Sequence, residues 1–538
     1  MSTSSAPGDP MTPIYHTQEG DPRILAQLII GGLGEGCESL YDYEKGGHHP
    51  VHLEDLLGPQ NRYRVIHKLG KGGFANVWLC RDTQDGPSRY VALKILMADY
   101  SQEDCPELRA LELNNLLKHD SKGRQHVCLP LDNFRIEGPN GSHLCFVYPV
   151  LGPCASSRPA KFEYSKFSLR RFALQATQAV AALHEIGLCH GDLSASNILL
   201  RTIRYNELSE DELIETLGQP RREEVRTMGG DQHQNPSAPQ YLVYPIDSTE
   251  MESKFLTGDA CITDLGESFE VQEPPENLGI PISYRAPELL LGGKPGRGCD
   301  LWALGCILFE IRMGRQLFGT WDDDTGEYLH TVAMTLGKYP EPFWSNWEDR
   351  SDTLEEEADE QGRVVLTAEV LGRIVGHDTH SADGLAIEPR SLLEAIAPAL
   401  FYDAAYKPRN PRKQASKISD EEAKLFADLL EKLLAYEPER RLSAQEASEH
   451  EWFKFSDEEQ QETIVVPEQT NDQSMDIEQQ TGVDEQPASA EEPELEVKAQ
   501  EASPGGRITN QAAPSPMEIE QKPSEIEEGR RRMRRHSI

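Results

Sequence analysis

The chain has 538 residues, enough for one large domain with tails or for two to three smaller domains. Its 91 acidic and 53 basic residues give a formal net charge of −38, which argues against a general nucleic-acid binder because phosphates would be repelled. The ten cysteines include no Cys-x-x-Cys pair, so neither a zinc site nor a disulfide framework is indicated. These features favour a soluble protein with cationic partners in a reducing compartment.

Composition also indicates where folded structure begins. Residues 1–40 are rich in Ser, Pro and Gly, which predicts a disordered segment with a short helix around Ile24–Ile30. This apolar run contains Gln27, is too short to span a bilayer and has no basic flank, so neither a membrane span nor a signal peptide is expected. Apolar patterning then continues from Tyr63 to Phe453, with one interruption at residues 202–258.

The chain changes character after Phe455, where Glu, Gln, Pro, Ser and Asp dominate and aromatic residues almost disappear. A segment of this composition, residues 456–538, cannot bury enough apolar area to offset its ordering entropy, so we predict a disordered acidic tail. The tail closes on the basic cluster Arg530–Ser537. A nuclear-import signal, a site for a basophilic kinase, a self-docking segment and a solvated basic end all remain open for this cluster.

One polar loop carries a pattern suited to phosphate chemistry. The loop His190–Asn197 places Asp192 shortly before Asn197, and the apolar run Ile198–Leu200 follows as a buried strand would. An aspartate at this spacing accepts a proton from an incoming hydroxyl, while the asparagine side-chain oxygen ligates a metal on nucleotide phosphates. Loops that make only turn hydrogen bonds also contain these residue types, so the loop alone leaves both interpretations open.

A glycine-rich hairpin, Leu69–Val77, precedes this loop in the chain. Its glycines would let backbone N–H groups approach phosphates closely because no Cβ obstructs them, although such a hairpin is more often only a flexible turn. The next strand pattern, Val91–Lys94, supplies a lysine that would reach the α- and β-phosphates. A buried ammonium there requires a carboxylate partner.

Two carboxylates in the helical pattern after this strand are candidates for that partner. Glu107 and Glu112 cannot occupy the same face of a helix. We favour Glu107, because Leu108 and Leu111 follow it at a core-facing spacing, and we keep Glu112 as the alternative.

Two further strands would complete a nucleotide site. The run His143–Pro153 passes from a strand into a breaker and is predicted to form a hinge. Tyr148 would fill the pocket behind the adenine, and the backbone of Pro149–Leu151 would meet its edge; a core strand entering a loop is the simpler alternative. Asp264 follows the apolar strand Cys261–Thr263 and would ligate the metal that bridges the phosphates.

Three more segments follow the nucleotide-site motifs in the chain: Tyr284–Glu288, Asp300–Gly305 and Pro438–Ala444. Glu288 and Arg441, which are far apart in the sequence, are predicted to form a structural ion pair. Each segment alone has a simpler interpretation as a turn or helix cap, but the fixed order of all these elements makes chance an implausible explanation.

In this order the motifs resemble those of eukaryotic protein kinases, and within them those of the SR-protein kinases, especially fungal relatives. The more specific resemblance rests on Tyr43–Val51, on Tyr63–Gly70, on Ala75 where a third loop glycine often stands, and on the insertion 202–258, where these kinases carry a spacer. It implies an α+β, two-lobed protein-kinase fold with disordered termini: an antiparallel β N-lobe within residues 41–151 and a mainly helical C-lobe within 152–455.

Within the insertion, Ser209–Glu212 predicts a capping-box helix that ends at Gly218–Pro220. The remainder of the insertion is expected to be a surface excursion. Further on, Leu336–Pro340 with Trp344 resembles the extra segment of the group that contains the cyclin-dependent and mitogen-activated kinases.

The resemblance implies ATP and Mg²⁺ as cofactors. Catalysis would fall to Asp192, Lys94 and Glu107, and the metals to Asn197 and Asp264. The residues implied around the nucleotide are Leu69, Gly70, Lys71, Gly72, Gly73, Val77, Ala92, Lys94, Tyr148, Val150 and Leu151.

Three positions depart from the kinase pattern. Gly191 replaces an arginine that reads a phosphorylated activation loop, which agrees with constitutive activity in this family. Ser194 replaces the lysine that contacts the γ-phosphate, a loss on the order of 10²-fold or more in rate. Pro281 replaces the threonine that bridges the catalytic Asp and that lysine, and Ser194 or Ser283 would supply a partial replacement hydroxyl.

We therefore expect a monomeric serine/threonine kinase in cytoplasm and nucleus that phosphorylates basic Arg/Ser-rich proteins such as splicing factors, with no direct nucleic-acid or membrane partner. The acidic runs Asp322–Asp324 and Glu355–Glu357 would steer cationic substrates, or would be solvated loops. A pseudokinase that recruits partners is the alternative, favoured by Ser194 and Pro281. A small-molecule phosphotransferase is less expected, because such enzymes lack the later segments.

Overall fold

The N-terminal half of the folded region is built on a six-stranded antiparallel sheet with the order β2-β3-β4-β5-β7-β6. The computed structural model describes residues 28–30, 36–84, 89–117, 121–156, 166–320, 323–359, 363–367, 391–396 and 418–456. The strands of this sheet are β2 (Leu56–Leu57), β3 (Tyr63–Lys71), β4 (Ala75–Asp82), β5 (Arg89–Leu96), β6 (Asp132–Gly138) and β7 (Gly141–Pro149).

Side chains of β5 alternate between two faces of the sheet. One face packs in the apolar core, and the other faces the cleft between the two lobes. Val91, Leu93 and Ile95 pack into an apolar cluster on one face. Because successive side chains in a strand point to opposite faces, Lys94 lies on the other face. Leu96 on that second face packs in a cluster that also contains Tyr148. A single charged residue can therefore occupy the cleft face while the strand stays buried.

The C-terminal half is mainly helical, as predicted, and the two-lobed fold is confirmed. One short helix, α1 (Arg109–Leu116), belongs to the N-lobe. The other helices are α2 (Lys166–Glu185), α3 (Glu210–Leu217), α4 (Arg297–Met313), α5 (Thr325–Leu336), α6 (Phe343–Asn346), α7 (Leu392–Ile396), α8 (Asp420–Leu433), α9 (Ala444–Ser448) and α10 (Glu451–Lys454). Helix α4 is buried from Cys299 to Arg312 and forms the centre of this lobe.

Small sheets connect these helices to the cleft. Their strands are β8 (Leu151–Cys154), β9 (Leu188–Cys189), β10 (Ile198–Thr202), β13 (Leu256–Ile262) and β14 (Phe269–Glu270). Strand β10 pairs with both β8 and β13, and β14 pairs with β9. No helix within the described ranges is long and apolar enough to cross a membrane.

Buried ion pairs hold the large lobe together. The predicted pair is confirmed: Arg441 donates to both carboxylate oxygens of Glu288 at 2.7 and 2.8 Å. A second group was not predicted, in which Glu422 of α8 accepts from Arg170 of α2 at 2.9 Å and from Arg312 of α4 at 2.8 Å. These contacts tie three helices to one buried carboxylate.

The N-terminal segment is more ordered than the composition predicts. Residues Leu28–Ile30 form a strand, β1, which pairs antiparallel with β11 (Arg222–Thr227) of the insertion, and β11 pairs in turn with β12 (Tyr241–Val243). The predicted disorder is therefore wrong for residues 28–30 and 36–40, and Leu28–Ile30 is a strand rather than part of the helix predicted around Ile24–Ile30. The rest of both predictions, like the predicted disordered tail from residue 457 on, lies outside the described residues. A short apolar run fits either a strand or a helix, and its pairing partner is remote in the chain.

The insertion is likewise not a plain surface excursion. Its capping-box helix is confirmed, since Ser209 and Glu212 exchange both capping hydrogen bonds and Gly218 follows the last turn. Beyond this helix, Val225 and Leu242 are buried against Leu40 and Tyr43 of the N-terminal segment. Single apolar residues on β11 and β12 thus provide the burial that the Gln- and Pro-rich composition obscures.

Both additions pack onto the N-lobe sheet. Lys68 of β3 is fully buried and forms an ion pair with Glu38, which also accepts from the Tyr43 hydroxyl at 2.5 Å. From the insertion, the backbone N–H of Ile246 donates to the Lys68 carbonyl at 3.0 Å, and Glu210 pairs with Arg64. The N-lobe sheet is therefore covered by segments that flank it in sequence on both sides.

A buried histidine beside the N-terminal segment makes folding stability sensitive to pH. Burial lowers the pKa of His48 from 6.5 to about 4, and its Nδ1 has no hydrogen-bond partner among the described residues. The unfolded chain therefore binds a proton between pH 6.5 and 4 that the folded chain does not, so stability is full above pH 6.5 and falls as the pH drops toward 4.

We predict that the free energy of unfolding decreases by about 2 kcal/mol between pH 8 and pH 5 on account of His48. Urea denaturation of the wild type and of His48→Phe at both pH values measures this contribution. The variant should lose that part of the pH dependence, and an identical pH dependence in the two proteins would contradict the assignment.

Candidate active site

Lys94 is the centre of a charged cluster in the cleft. Its Nζ lies 2.9 and 2.8 Å from the two carboxylate oxygens of Glu107 and 2.9 Å from Oδ1 of Asp264. The Lys94 side chain is 13% exposed and that of Glu107 is 1% exposed, whereas Asp264 is 46% exposed. The cluster thus has a closed end at Glu107 and an open end at Asp264.

The structure pairs Lys94 with Glu107, the favoured candidate, while Glu112 is exposed. Glu107 does not lie in an α-helix as predicted. It belongs to a 3₁₀ turn, Pro106–Leu108, and α1 begins only at Arg109. The turn starts at Pro106 and is closed by the Leu108 N–H, which donates to the Cys105 carbonyl at 3.0 Å.

Lys94, Glu107 and Asp264 shift one another's pKa values. Burial acts to raise the pKa of Glu107 and prevails over the opposing effect of Lys94, so the pKa of this carboxyl lies above its usual range. Burial also acts to raise the pKa of Asp264, but there the Lys94 ammonium prevails and the pKa is lowered. Although burial would lower the pKa of Lys94, Asp264 and Glu107 together raise it. Lys94 and Asp264 are therefore charged at neutral pH.

The loop His190–Asn197 is held by a buried carboxylate, Asp300, whose role the sequence did not predict. Asp300 accepts from the backbone N–H groups of His190 and Gly191 at 2.7 and 3.1 Å, and it contacts His184 Nε2 at 2.9 Å. Burial acts to raise the pKa of Asp300, but the hydrogen bonds and charges of His184 and His190 together prevail, so the pKa of this carboxyl is lowered. The sequence motif Asp300–Gly305 marks this aspartate, but it does not show which backbone N–H groups the carboxylate accepts from.

Gly191 has a steric explanation. Its φ of +80° lies in the left-handed region, and a Cβ at this position would be 2.2 Å from the Glu267 carbonyl oxygen. Only glycine fits this close approach of the loop His190–Asn197 to the segment after Asp264. An arginine at position 191 would require a different arrangement of both segments.

Asp192 and Asn197 are brought together within this loop. Asn197 Nδ2 donates to the Asp192 carbonyl at 2.8 Å, and the 3.3 Å contact to Asp192 Oδ2 joins the two side chains. With its amide nitrogen used inside the loop, Asn197 has a carbonyl oxygen to offer a cation. Asp264, with φ of +63°, adds a partly exposed carboxylate. Amide and carboxylate oxygens are the ligands that Mg²⁺ prefers, so these residues fit the metal.

Ser194 does not offer a hydroxyl to the cleft in the way we expected. It is buried, and its Oγ lies 2.8 Å from Ser196 Oγ. Ser283, the other proposed replacement, is buried in the 3₁₀ turn Ile282–Tyr284 that follows Pro281. Neither geometry supplies a substitute for the missing lysine cation.

The glycine-rich hairpin joins β3 to β4. A Cβ built on Gly70 would have no described atom within 4 Å, as expected for backbone left open to a ligand. The Lys71 side chain does not extend freely over this opening, because its Nζ donates to the Cys37 carbonyl at 2.7 Å. This anchor on the N-terminal segment was missed, since sequence alone did not show that the segment folds here.

The predicted hinge falls between β7, which ends at Pro149, and β8, which begins at Leu151. Val150 between them is buried against the insertion residues Tyr205 and Phe255. Tyr148 lies on the cleft side, and its hydroxyl donates to Glu107 Oε1 at 2.7 Å. The roles assigned to Leu69, Val77 and Ala92 around the nucleotide stay predictions.

Replacing Glu107 by Gln should lower the affinity for Mg·ATP by about tenfold, because the amide oxygen still accepts from Lys94 but the charge that holds the ammonium is lost. Glu112→Gln is the matched control and should bind Mg·ATP as the wild type does. Isothermal titration calorimetry measures both variants. Equal affinities for the two variants would show that the Glu107 contact does not position Lys94 for the nucleotide.

Comparison with known sequences agrees with this geometry. The family model described as "Protein kinase domain" matches residues 63–209 and 252–453, and the gap in the match falls within the insertion. A similar protein is "Serine/threonine-protein kinase AFC3" of Arabidopsis thaliana, 29% identical over 447 residues, which cover 81% of this chain and 93% of that protein.

Two further relatives point the same way. "Serine/threonine-protein kinase SRPK" of Physarum polycephalum is 27% identical, with 78% of this chain and 91% of that protein covered. "Dual specificity protein kinase CLK2" of Homo sapiens is 27% identical, with 76% and 66% covered. The chain therefore belongs to the protein kinase family, as a protein serine/threonine kinase of the SR-protein kinase and CLK type.

Proposed function

We propose that this kinase transfers the γ-phosphoryl group of Mg·ATP to serine in basic, Arg/Ser-containing proteins. Protein kinases generally use ATP and Mg²⁺, and the ion pair of Lys94 with Asp264 and the amide of Asn197 support the same cofactors here. Bound Mg²⁺ would neutralise charge on the phosphates. Lys94, held by Glu107, binds the α- and β-phosphates, and Asn197 and Asp264 hold the metal.

Asp192 orients the acceptor hydroxyl in this proposal. The serine oxygen forms a bond to the γ-phosphorus as the bond to the β,γ-bridging oxygen breaks, so that ADP leaves. Asp192 accepts the proton of the hydroxyl late in the transfer. The hydrogen bonds of Asp300 to His190 and Gly191 support a fixed position for this loop.

An exposed acidic segment carries the substrate proposal. In the segment Glu348–Glu357, Glu355 and Glu357 are exposed and form no ion pair with other described residues. Glu356 is already used, since it pairs with Arg350 at 2.8 Å and accepts from Trp344 at 3.0 Å. The remaining carboxylates would attract an arginine-rich peptide and favour Arg through bidentate pairing.

The second acidic run contributes less. Asp324 caps α5 by accepting from the Glu327 N–H at 2.7 Å, so its carboxylate has a structural use. Asp323 is exposed beside it, and Asp322 lies outside the described residues. We therefore assign substrate attraction first to Glu348–Glu357.

A pseudokinase remains the second candidate, because Ser194 and Pro281 stand where a lysine and a threonine would assist transfer and no described side chain of the loop replaces the cation. The two candidates differ in a direct assay. Wild type should phosphorylate an Arg/Ser peptide, Asp192→Ala should not, and Ser194→Lys should be faster than wild type. Mass spectrometry of the products identifies the acceptor, and transfer no greater than in Asp192→Ala, with nucleotide still bound, would favour the pseudokinase.

The docking role of the acidic segment has its own prediction. Glu355→Gln combined with Glu357→Gln should raise KM for the Arg/Ser peptide roughly threefold or more at low salt, with KM for ATP unchanged. Glu431→Gln combined with Glu439→Gln removes the same charge from exposed positions elsewhere and is the matched control. Equal peptide KM values for both double variants would assign the effect to net charge rather than to this segment.

A further inference from the structure

Tyr148 makes a contact that its expected place behind the adenine does not require. Its hydroxyl donates to Glu107 Oε1 at 2.7 Å, and the same oxygen accepts from Lys94 Nζ at 2.9 Å. The other carboxylate oxygen of Glu107 lies 2.8 Å from Lys94 Nζ. The phenol, the carboxylate and the ammonium thus form one continuous chain of charge-assisted hydrogen bonds.

The register of the sheet brings these groups together. Strand β5 pairs with β7 so that Ala92 faces Tyr148 and Lys94 faces Phe146. Directly paired residues share one face of a sheet, and residues two apart in a strand also share it. Tyr148 and Lys94 therefore project from the same face of neighbouring strands toward Glu107.

The Glu107 side chain needs such support because it is a buried carboxylate at the end of rotatable bonds. Glu107 lies in the 3₁₀ turn Pro106–Leu108, directly ahead of the 8-residue helix α1. The carboxylate is buried, and an unfixed buried charge is costly. Tyr148 is held in the 9-residue strand β7, which pairs with β5 on one side and β6 on the other.

We propose that Tyr148 is a positioning residue, whose hydroxyl holds Glu107 and thereby orients Lys94 toward the phosphates of the nucleotide. This inference rests on the proposed function, in which Lys94 binds the α- and β-phosphates. It differs from a space-filling role, because the ring alone would fill the pocket as well in phenylalanine.

The charges around Glu107 give the proposal a second readout. Burial raises the pKa of Glu107, Asp264 across the cleft raises it further, and Lys94 and the Tyr148 hydrogen bond lower it. Loss of the hydroxyl removes one lowering contribution. Glu107 should then take up a proton at a higher pH, and the acid limb of the pH–rate profile should move upward.

Tyr148→Phe tests the inference directly. The variant should bind Mg·ATP about three- to tenfold more weakly than wild type while it binds adenosine equally well, because the phosphate contact is weakened and the ring is kept. Tyr148→Leu removes the ring as well and should weaken adenosine binding too. Unchanged Mg·ATP affinity together with an unchanged acid limb in Tyr148→Phe would overturn the proposal, as would equal losses for ATP and adenosine.

Tyr43 provides a matched control elsewhere in the N-lobe. Its hydroxyl donates at 2.5 Å to Glu38, which is paired with the buried Lys68, so the same three groups recur outside the cleft. Tyr43→Phe should lower the unfolding temperature without changing the ratio of ATP to adenosine affinity or the acid limb. A change of that ratio in Tyr43→Phe equal to that in Tyr148→Phe would assign the effect to general destabilisation and refute the proposal.

The binding measurements separate this inference from the proposed function. If wild type transfers no phosphoryl group to the Arg/Ser peptide, the proposed function fails, while the ratio of ATP to adenosine affinity in wild type and Tyr148→Phe still decides the role of the hydroxyl. If wild type is active and Tyr148→Phe matches it in every measurement, the inference alone fails.

Discussion

A single ammonium between two carboxylates organises the cleft. Lys94 lies within 2.9 Å of both Glu107 and Asp264, which come from different parts of the chain. Two carboxylates and one ammonium carry a net negative charge, and the open, partly exposed end of the cluster is Asp264. A buried charge is tolerated only when it is paired, so the strand, the turn and the segment that supply these residues must meet at one point. That excess negative charge suits the binding of a divalent cation.

The insertion is connected to the same point. Strand β10 starts directly after Asn197, and the insertion leaves from its last residue. The chain returns through β13, which ends two residues before Asp264. The two strands pair with Leu199 opposite Cys261, and the Thr263 N–H donates to the Asn197 carbonyl at 2.9 Å. Because the insertion also packs on the N-lobe sheet, the metal-ligating candidates and Lys94 belong to one contiguous set of contacts.

The local motifs of the site could be predicted from sequence because each depends on short-range spacing. The chemical character of each motif follows from its own residues. This holds for the glycines of the hairpin, the lysine on β5, the Asp192 loop and Asp264 after a buried strand. Glu107 was preferred over Glu112 for its apolar neighbours, but the 3₁₀ turn that holds it depends on Pro106 and on tertiary contacts.

What could not be predicted depends on pairing between distant segments. Strand β1 pairs with β11, and Leu28 and Ile30 pack against a cluster that contains Leu40 and Val225. The sequence near Leu28–Ile30 does not indicate a partner in the insertion. The Tyr148 hydroxyl reaches Glu107 through the register of β5 and β7, and Lys71 is anchored by the Cys37 carbonyl. The burial of Ser194 against Ser196 likewise follows from the packing of the loop rather than from its composition.

The most direct test is a double-mutant cycle of Lys94→Met and Asp264→Asn, with Mg·ATP affinity measured by titration calorimetry. If both residues contact one metal-bound nucleotide, the double variant should lose less affinity than the two single variants together, with a coupling on the order of 1 kcal/mol or more. Additive losses, or a wild-type protein that does not bind Mg·ATP, would contradict the account.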